Sequence, residues 1–241
     1  MRLQDSVALV TGASKGLGLE IARLYADRGA RLVIAARHPQ ALDRATAELR
    51  QKTEVVSLAI DVSREAEQLA EAGLERFGRI DVLVNNASEL GPSPMPALES
   101  LSWQDMERIL RVNVTAPLHL IQLVLPQMRA RGSGVIINVT SDAGIEAYAG
   151  WGGYGASKAA LEQMSRILAE ELSGSGIRVY VVDPGDMNTE MHRHAEPGVD
   201  LSGLPAPEVS APAFVRLVEQ ETAAFGRFKA QEMAVLAETG R

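Results

Sequence analysis

The stretch VALVTGASKGLGLEIARLY, Val7 to Tyr25, joins two patterns across a glycine-rich turn. Val7 to Gly12 is a short, continuously apolar run that reads as a strand buried on both faces. From Gly16 the apolar residues recur at helical spacing, and the helix extends to about Arg28. Gly12, Gly16 and Gly18 punctuate the turn between them. Glycines there let a pyrophosphate approach the main chain, while the first amides of the helix and its dipole favour negative charge. Such glycines can also make nothing more than a tight turn. A strand before and a helix after are the context that a dinucleotide fingerprint requires.

The same alternation continues outward. RLVIAA (Arg31 to Ala36) reads as a second strand, and Pro39 opens a helix running to about Lys52. EVVSLAID (Glu54 to Asp61) is a third strand, Ser63 caps a helix reaching Phe77, and IDVLVNNA (Ile80 to Ala87) is a fourth. A proline-dense loop follows. Ser102 with Asp105 three residues on is a helix N-cap, and that helix runs, kinked before Pro117, to about Arg131. GVIINVTS (Gly134 to Ser141) and IRVYVVDPG (Ile177 to Gly185) are the fifth and sixth strands. Continuously apolar strands alternating with helices imply an α/β fold, a Rossmann-type doubly wound parallel sheet with helices on both faces. Ligands in such sheets bind at the carboxyl ends of the strands. No linker divides residues 1–241, so one domain is expected. Beyond Met191 the pattern loosens, and residues from about 187 to 212 are expected to form a lid over the cleft. A helix near Ala211 to Ala224 and a short last strand in GRFKA complete the chain.

Of the 241 residues, 46% are hydrophobic and 23% charged, as in ordinary globular proteins. No apolar run reaches the roughly 20 residues that span a bilayer, and the first apolar run is too short and wrongly flanked for a signal peptide. The formal net charge of −7 argues against a nucleic-acid partner, whose phosphates demand a basic surface. Without cysteine there is neither a disulfide framework nor a thiolate metal site, and a cytoplasmic location is expected. No resident metal is expected either, since His192 and His194 lack a third ligand at matching spacing.

A second stretch carries chemistry. In GWGGYGASKAALEQM, Gly150 to Met164, Tyr154 and Lys158 lie four apart on a helix and so share one face. The preceding glycines are expected to leave room for a substrate beside the ring, and Trp151 either walls its pocket or makes a subunit contact. At the end of the second strand an acidic residue would serve the ribose hydroxyls of NAD. Here Ala36 leaves space and Arg37 offers a fork suited to phosphate, with Lys15 as a second cation. That set favours NADP(H) as cofactor.

These residues resemble the short-chain dehydrogenases/reductases in their compact single-domain form. TGASKGLG is similar to that family's TGxxxGxG, NNAS (Asn85 to Ser88) to its NNAG, and YGASK to its YxxxK. Asn113 in RVNVTAP, Ser141 thirteen residues before Tyr154, and Pro184-Gly185 with Thr189 match its remaining motifs. The resemblance spans residues 6 to about 190. It implies a catalytic set of Asn113, Ser141, Tyr154 and Lys158. Cofactor contacts would come from Gly12, Ser14, Lys15, Gly16, Leu17, Gly18, Arg37, Asp61, Val62, Asn86, Ala87, Tyr154, Lys158, Pro184, Gly185 and Thr189. Tyr154 would protonate the forming alkoxide as hydride arrives from the nicotinamide, and Ser141 would polarise the carbonyl. Asn113 would order a proton-relaying water. A phenol and an ammonium each titrate near pH 10 (roughly), so a cation beside Tyr154 is expected to lower its pKa.

The implied function is an NADP(H)-dependent oxidoreductase interconverting a small-molecule carbonyl and a secondary alcohol, in the ketoreductase direction. A non-catalytic dinucleotide sensor or scaffold on the same fold is the alternative. An epimerase or dehydratase is disfavoured by chain length and glycine spacing. Ser88 departs from the usual motif glycine, and the family's usual closing strand is absent. Leu161, Met164, Leu168 and Leu172 form an apolar stripe, and the family pairs that helix between subunits, so a homodimer or homotetramer is expected.

Overall fold

Seven parallel strands form one sheet in the computed structural model, which describes residues 1–220 and 223–233. The strands are β1 (Val7–Thr11), β2 (Arg31–Ala36), β3 (Val55–Ala59), β4 (Val82–Asn85), β5 (Gly134–Val139), β6 (Ile177–Asp183) and β7 (Phe225–Lys229). Their spatial order is β3-β2-β1-β4-β5-β6-β7. The order therefore reverses between β1 and β4, and a crevice opens above their carboxyl ends. The central strands β1, β4 and β5 are buried at every position. That is why the sequence shows unbroken apolar runs rather than alternation.

Helices cover both faces. One layer holds α1 (Gly16–Asp27) and α9 (Pro212–Glu219), which bury Tyr25 and Phe214 on one side of the sheet. The other holds α3 (Ala66–Phe77) and α5 (Ala116–Arg131), where Leu69, Leu120 and Val124 join the second core. The remaining helices are α2 (Pro39–Leu49), α4 (Trp103–Leu110), α6 (Gly152–Glu171), α7 (Glu190–Ala195) and α8 (Pro207–Ser210). Against the expectation that no apolar run is long enough to span a bilayer, the continuous helical run Trp103–Arg131 is long and apolar enough by composition to cross a membrane. Here Ile109, Leu120, Ile121, Val124 and Met128 are buried in the chain's own core.

Several local readings change. Ser102 caps α4 as expected, accepting the Asp105 amide at 3.0 Å. Ser63 does not cap α3. Its amide instead donates to Asp61 Oδ1 at 3.0 Å, and the helix begins later, at Ala66. The kink before Pro117 is a π-helical turn, Arg111–Thr115. The helix expected to reach Ala224 ends at Glu219, while GRFKA contributes most of β7, parallel to β6. Within the apolar stripe, Leu161 and Leu172 are buried in this chain, so only part of that stripe is left for a partner. Leu118 and Ile167 do stay exposed.

The amino end of the sheet is pinned by Asp81. Its carboxylate accepts the Val7 amide at 2.9 Å and pairs with Arg79 at 2.6 Å and Arg131 at 3.2 Å. Deeper in, Asn85 donates to Asn138 across β4 and β5, and Asn138 donates to Ser165 on α6, both at 2.8 Å. This polar chain ties α6 to the centre of the sheet.

Candidate active site

A cavity of about 870 Å³ lies along the carboxyl ends of the strands. All of the expected site residues line it except Asn113, which is buried just behind its wall. At one end is the glycine turn. Gly12 adopts φ +68°, and a side chain at Gly18 would lie 2.5 Å from both Gly12 O and Asn86 Nδ2, so neither position has room for a larger residue. Asn86 braces this turn, donating to Thr11 O at 2.8 Å, while Thr11 Oγ1 accepts the amides of Asn86 and Ala87 at 3.0 Å each. Thr11 is a turn-holding residue that the motif contains but the sequence reading did not single out. The cleared main chain, the α1 amino terminus and two nearby cations make a donor set that fits a dinucleotide phosphate.

Both cations carry carboxylate partners. Lys15 Nζ is 2.6 Å from Glu190 on α7, and Arg37 is 3.2 Å from Glu89, just past β4. The end of β2 itself carries no carboxylate, as expected, and the fold brings Glu89 to Arg37 from beyond β4.

At the other end, the first turn of α6 places Tyr154 with only 8% of its surface exposed. Lys158, one turn on, sits over the ring with Nζ 5.3 Å from the centroid and donates to Val139 O at 2.9 Å. Burial dominates the electrostatics here. It pushes the Tyr154 phenol well above its usual range, aided by Asp183 and Asp142, while hydrogen bonding by Ser88 and Ser141 acts in the opposite direction. Burial also lowers the Lys158 ammonium to about 7. The expected lowering of the Tyr154 pKa by Lys158 is therefore not what the protein's own groups produce.

The glycines before Tyr154 serve packing, not a substrate pocket. A side chain on Gly152 would meet Leu98 at 2.4 Å, and one on Gly153 would meet Ile109 and Leu101 at 2.9 Å. One on Gly155 would lie 2.6 Å from Ala143 O. Gly152 and Gly153 let α6 press against the segment from Leu98 to Ile109, and Gly155, after the tyrosine, lets it press against the turn that follows β5. Trp151 does line the cavity, in edge contact with Tyr154 at 5.8 Å and Tyr148 at 6.2 Å between ring centres.

Ser141 Oγ donates to Asp142 Oδ1 at 2.9 Å, and the Tyr148 hydroxyl donates to Asp142 Oδ2 at 2.8 Å. Burial works against that carboxylate, but these two hydrogen bonds, the Ala143 amide and the Arg227 charge together outweigh it and hold Asp142 below the usual range. Asn113 stands in the π-helical turn, a helix irregularity frequent at functional sites. Its side chain is fully engaged. Oδ1 accepts from Glu89 N at 2.8 Å and Ser88 Oγ at 3.1 Å, and Nδ2 donates to Glu89 O and Ser157 Oγ, both at 2.9 Å.

Behind the site lies a cluster with no sequence signal. Arg227 on β7 reaches the buried Glu162 of α6 at 3.1 Å, the Ser141 carbonyl at 3.2 Å and the buried Asp183 at 3.4 Å. Thr140 Oγ1 donates to the same Glu162 at 2.8 Å. Asp183 also accepts the Gly185 amide at 2.9 Å, and Ser210 Oγ donates to Pro184 O at 2.7 Å, which fixes the loop after β6. Thr189 accepts the His192 amide at 3.2 Å and caps α7. His192 Nε2 is 3.1 Å from Glu196, within the segment that borders the cavity.

Known proteins of similar sequence and fold show the chain's family. The family model described as short chain dehydrogenase matches residues 6–200. The chain is 39% identical over 221 residues, covering 87% of itself and 83% of its counterpart, to the rhamnolipids biosynthesis 3-oxoacyl-[acyl-carrier-protein] reductase of Pseudomonas aeruginosa. The structure of a short chain dehydrogenase from Pseudomonas syringae superposes with a TM-score of 0.88 at 31% identity, covering 95% of this chain and 96% of that one. Another from Shigella flexneri, complexed with NADP, gives 0.86 at 29% identity over 95% and 98%.

Proposed function

The chain belongs to the short-chain dehydrogenase/reductase family, and from that premise we propose that it is an NADP(H)-dependent oxidoreductase that reduces a small-molecule ketone to a secondary alcohol. One observation carries the reading. Tyr154, Ser141 and Lys158 converge on one wall of the cavity whose other end is the glycine turn. A sensor or scaffold would bind a dinucleotide without needing a phenol enclosed by hydroxyls and an amine.

When bound, the nicotinamide supplies or accepts hydride. The protein's part is proton transfer and orientation. Ser141 turns its proton from Asp142 to the substrate oxygen, stabilising charge as it develops there. Burial keeps Tyr154 protonated through neutral pH, so it can donate to the forming alkoxide. Lys158, over the ring, would hold ribose hydroxyls. Because the Asn113 side chain is spent on the protein, the π-helical turn leaves its main chain as the part able to hold a relaying water.

Arg37 and Lys15 would recognise the extra phosphate of NADP, supported by the NADP-bound Shigella flexneri neighbour. The name of the Pseudomonas aeruginosa relative, a reductase of a 3-oxoacyl group, supports the reducing direction. Residues 187–196, with Pro207 and Glu208, border the cavity and would act as the lid. The exposed Leu118 and Ile167 would lie in a subunit contact. A panel of ketones and alcohols followed by NADPH absorbance tests the proposal. Turnover of at least one ketone, lost in Tyr154→Phe with NADPH binding retained, is the expected result. An active Tyr154→Phe enzyme would overturn it.

A further inference from the structure

Asp142 lines the cavity directly after Ser141, and among the described residues it forms no ion pair. Its hydrogen-bond donors are all neutral. Ser141 Oγ and the Ala143 amide reach Oδ1 at 2.9 and 2.8 Å, and the Tyr148 hydroxyl reaches Oδ2 at 2.8 Å. Other carboxylates on the same cavity have a cation each: Arg37 for Glu89, Lys15 for Glu190 and Arg227 for Asp183. Arg227 is also taken up by Glu162 and the Ser141 carbonyl, so it is not free to serve Asp142. A negative charge beside the carbonyl-polarising serine is thus left for a ligand to balance.

The proposed reaction takes one donor away from that charge. An ionised carboxylate has about four acceptor sites. Asp142 fills three of them, and only two once Ser141 turns to the substrate. A charged donor is the best replacement, since its hydrogen bond is roughly twice as strong as a neutral one. Ser141 sets where that donor must lie. Its Oγ is 2.9 Å from Asp142 Oδ1, and the nitrogen and oxygen of an N–C–C=O unit come within about 2.7 Å on one side. The two spacings match, so a carbonyl oxygen on Ser141 brings a nitrogen on the adjacent carbon to Asp142. Tyr148, Trp151 and Tyr154 form a contiguous stretch of wall beside it, with ring centres 6.2 and 5.8 Å apart, and aromatic faces attract cations. We propose that the substrate is an α-aminoketone, held through its ammonium by Asp142 and reduced to a vicinal amino alcohol. Asp142 is then a specificity-determining residue. Hydride and proton move as already described, and the ammonium neither gains nor loses a proton. This inference rests on the proposed roles of Ser141 and Tyr154.

The test runs the reaction backwards, as oxidation by the full chain with NADP+ of carbinols that differ in one group. One set is isopropanolamine, propylene glycol, sec-butanol and lactate. The other is its phenyl counterpart: phenylethanolamine, styrene glycol, ethyl phenyl carbinol and mandelate. In at least one set kcat/KM for the amino alcohol should exceed that for the ethyl carbinol by about tenfold or more, the worth of a hydrogen bond to a charged group. The diol should fall between them and the hydroxy acid last. Asp142→Asn keeps the shape of the side chain and an acceptor for Ser141, and should lower the ratio of amino alcohol to ethyl carbinol about tenfold. A ratio cancels any general loss of activity, so a merely structural role would leave it unmoved. An amino alcohol no better than the ethyl carbinol in either set overturns the proposal without recourse to a variant. An Asn enzyme with the native ratio overturns it too, as does oxidation of other carbinols with neither amino alcohol accepted. If Tyr154→Phe stays active, or no carbinol or ketone is turned over, the oxidoreductase reading fails first and this one with it.

Discussion

Tyr154 and Arg37 line one cavity and are held in opposite ways. Tyr154 is 8% exposed and set in hydroxyls, an amine and aromatic edges, whereas the Arg37 side chain is 55% exposed with one carboxylate for company. On the proposed function, burial would fix the chemistry and solvated charge the cofactor choice. An enclosed group is costly to build and sensitive to any change, while an exposed ion pair is worth little and easily retuned. Substitutions at the Tyr154 end should therefore cost orders of magnitude, and those at the Arg37 end no more than about tenfold.

The largest effect is expected at Lys158. Lys158→Met should reduce turnover by at least about a hundredfold, within the range that acid–base groups contribute. Stability should move the other way. Burial lowers this amine to about 7, whereas the unfolded chain keeps the proton to about pH 10. Between those values the unfolded state binds more protons, so the lysine makes stability rise with pH and penalises the fold most at and below pH 7. Thermal melts of Lys158→Met should show an unchanged or higher Tm at pH 7 and a flatter profile up to pH 10. A lower Tm at pH 7 would mean that the bond to Val139 O outweighs desolvation.

Next comes the cluster behind Ser141. Arg227→Ala leaves the buried Glu162 with the Thr140 hydroxyl and the more distant Arg166 at 3.6 Å, and losing one partner of a buried ion pair costs up to about 3–5 kcal/mol. Tm should fall by roughly 10 °C, and kcat should fall as well because Arg227 also holds the Ser141 carbonyl. Arg79→Ala at the opposite end of the sheet is the control. It weakens the hold on buried Asp81 and should lower Tm while leaving kcat unchanged. Equal effects on kcat would show that the two ends are not functionally separate.

The contrast also explains what the sequence makes legible. Strand, turn and helix were readable because local patterning specifies them, and the candidate catalytic set because Ser141, just past β5, and Tyr154 and Lys158, on α6, stand at fixed spacings. Arg227 and Glu162 are 65 residues apart and meet only because β7 docks beside β6. A lone arginine in GRFKA has no period or motif to mark it. The glycines before Tyr154 were misread because sequence shows where a side chain is missing but not what occupies the space. Here Leu98, Leu101 and Ile109 do. Glu89 escaped notice for the same reason as Arg227, coming to Arg37 across the sheet's switch point.

The smallest effects lie at that last pair, and they test whether specificity there is tunable. Arg37→Ala should raise the KM for NADPH about tenfold and leave that for NADH unchanged, since the lost bond is to a charged group only NADPH carries. Glu89→Gln should do the reverse. The carboxylate at 3.2 Å competes with a phosphate for the guanidinium, so neutralising it should lower the NADPH KM by roughly twofold to fivefold. Because both groups are solvated, that gain should shrink as salt is raised from 10 mM to about 0.5 M. The effect must also vanish in Arg37→Ala, where nothing remains to compete for. If Glu89→Gln shifts both cofactors equally, its action runs through its main-chain bonds to Asn113 instead, and the phosphate end is tied to the catalytic end after all.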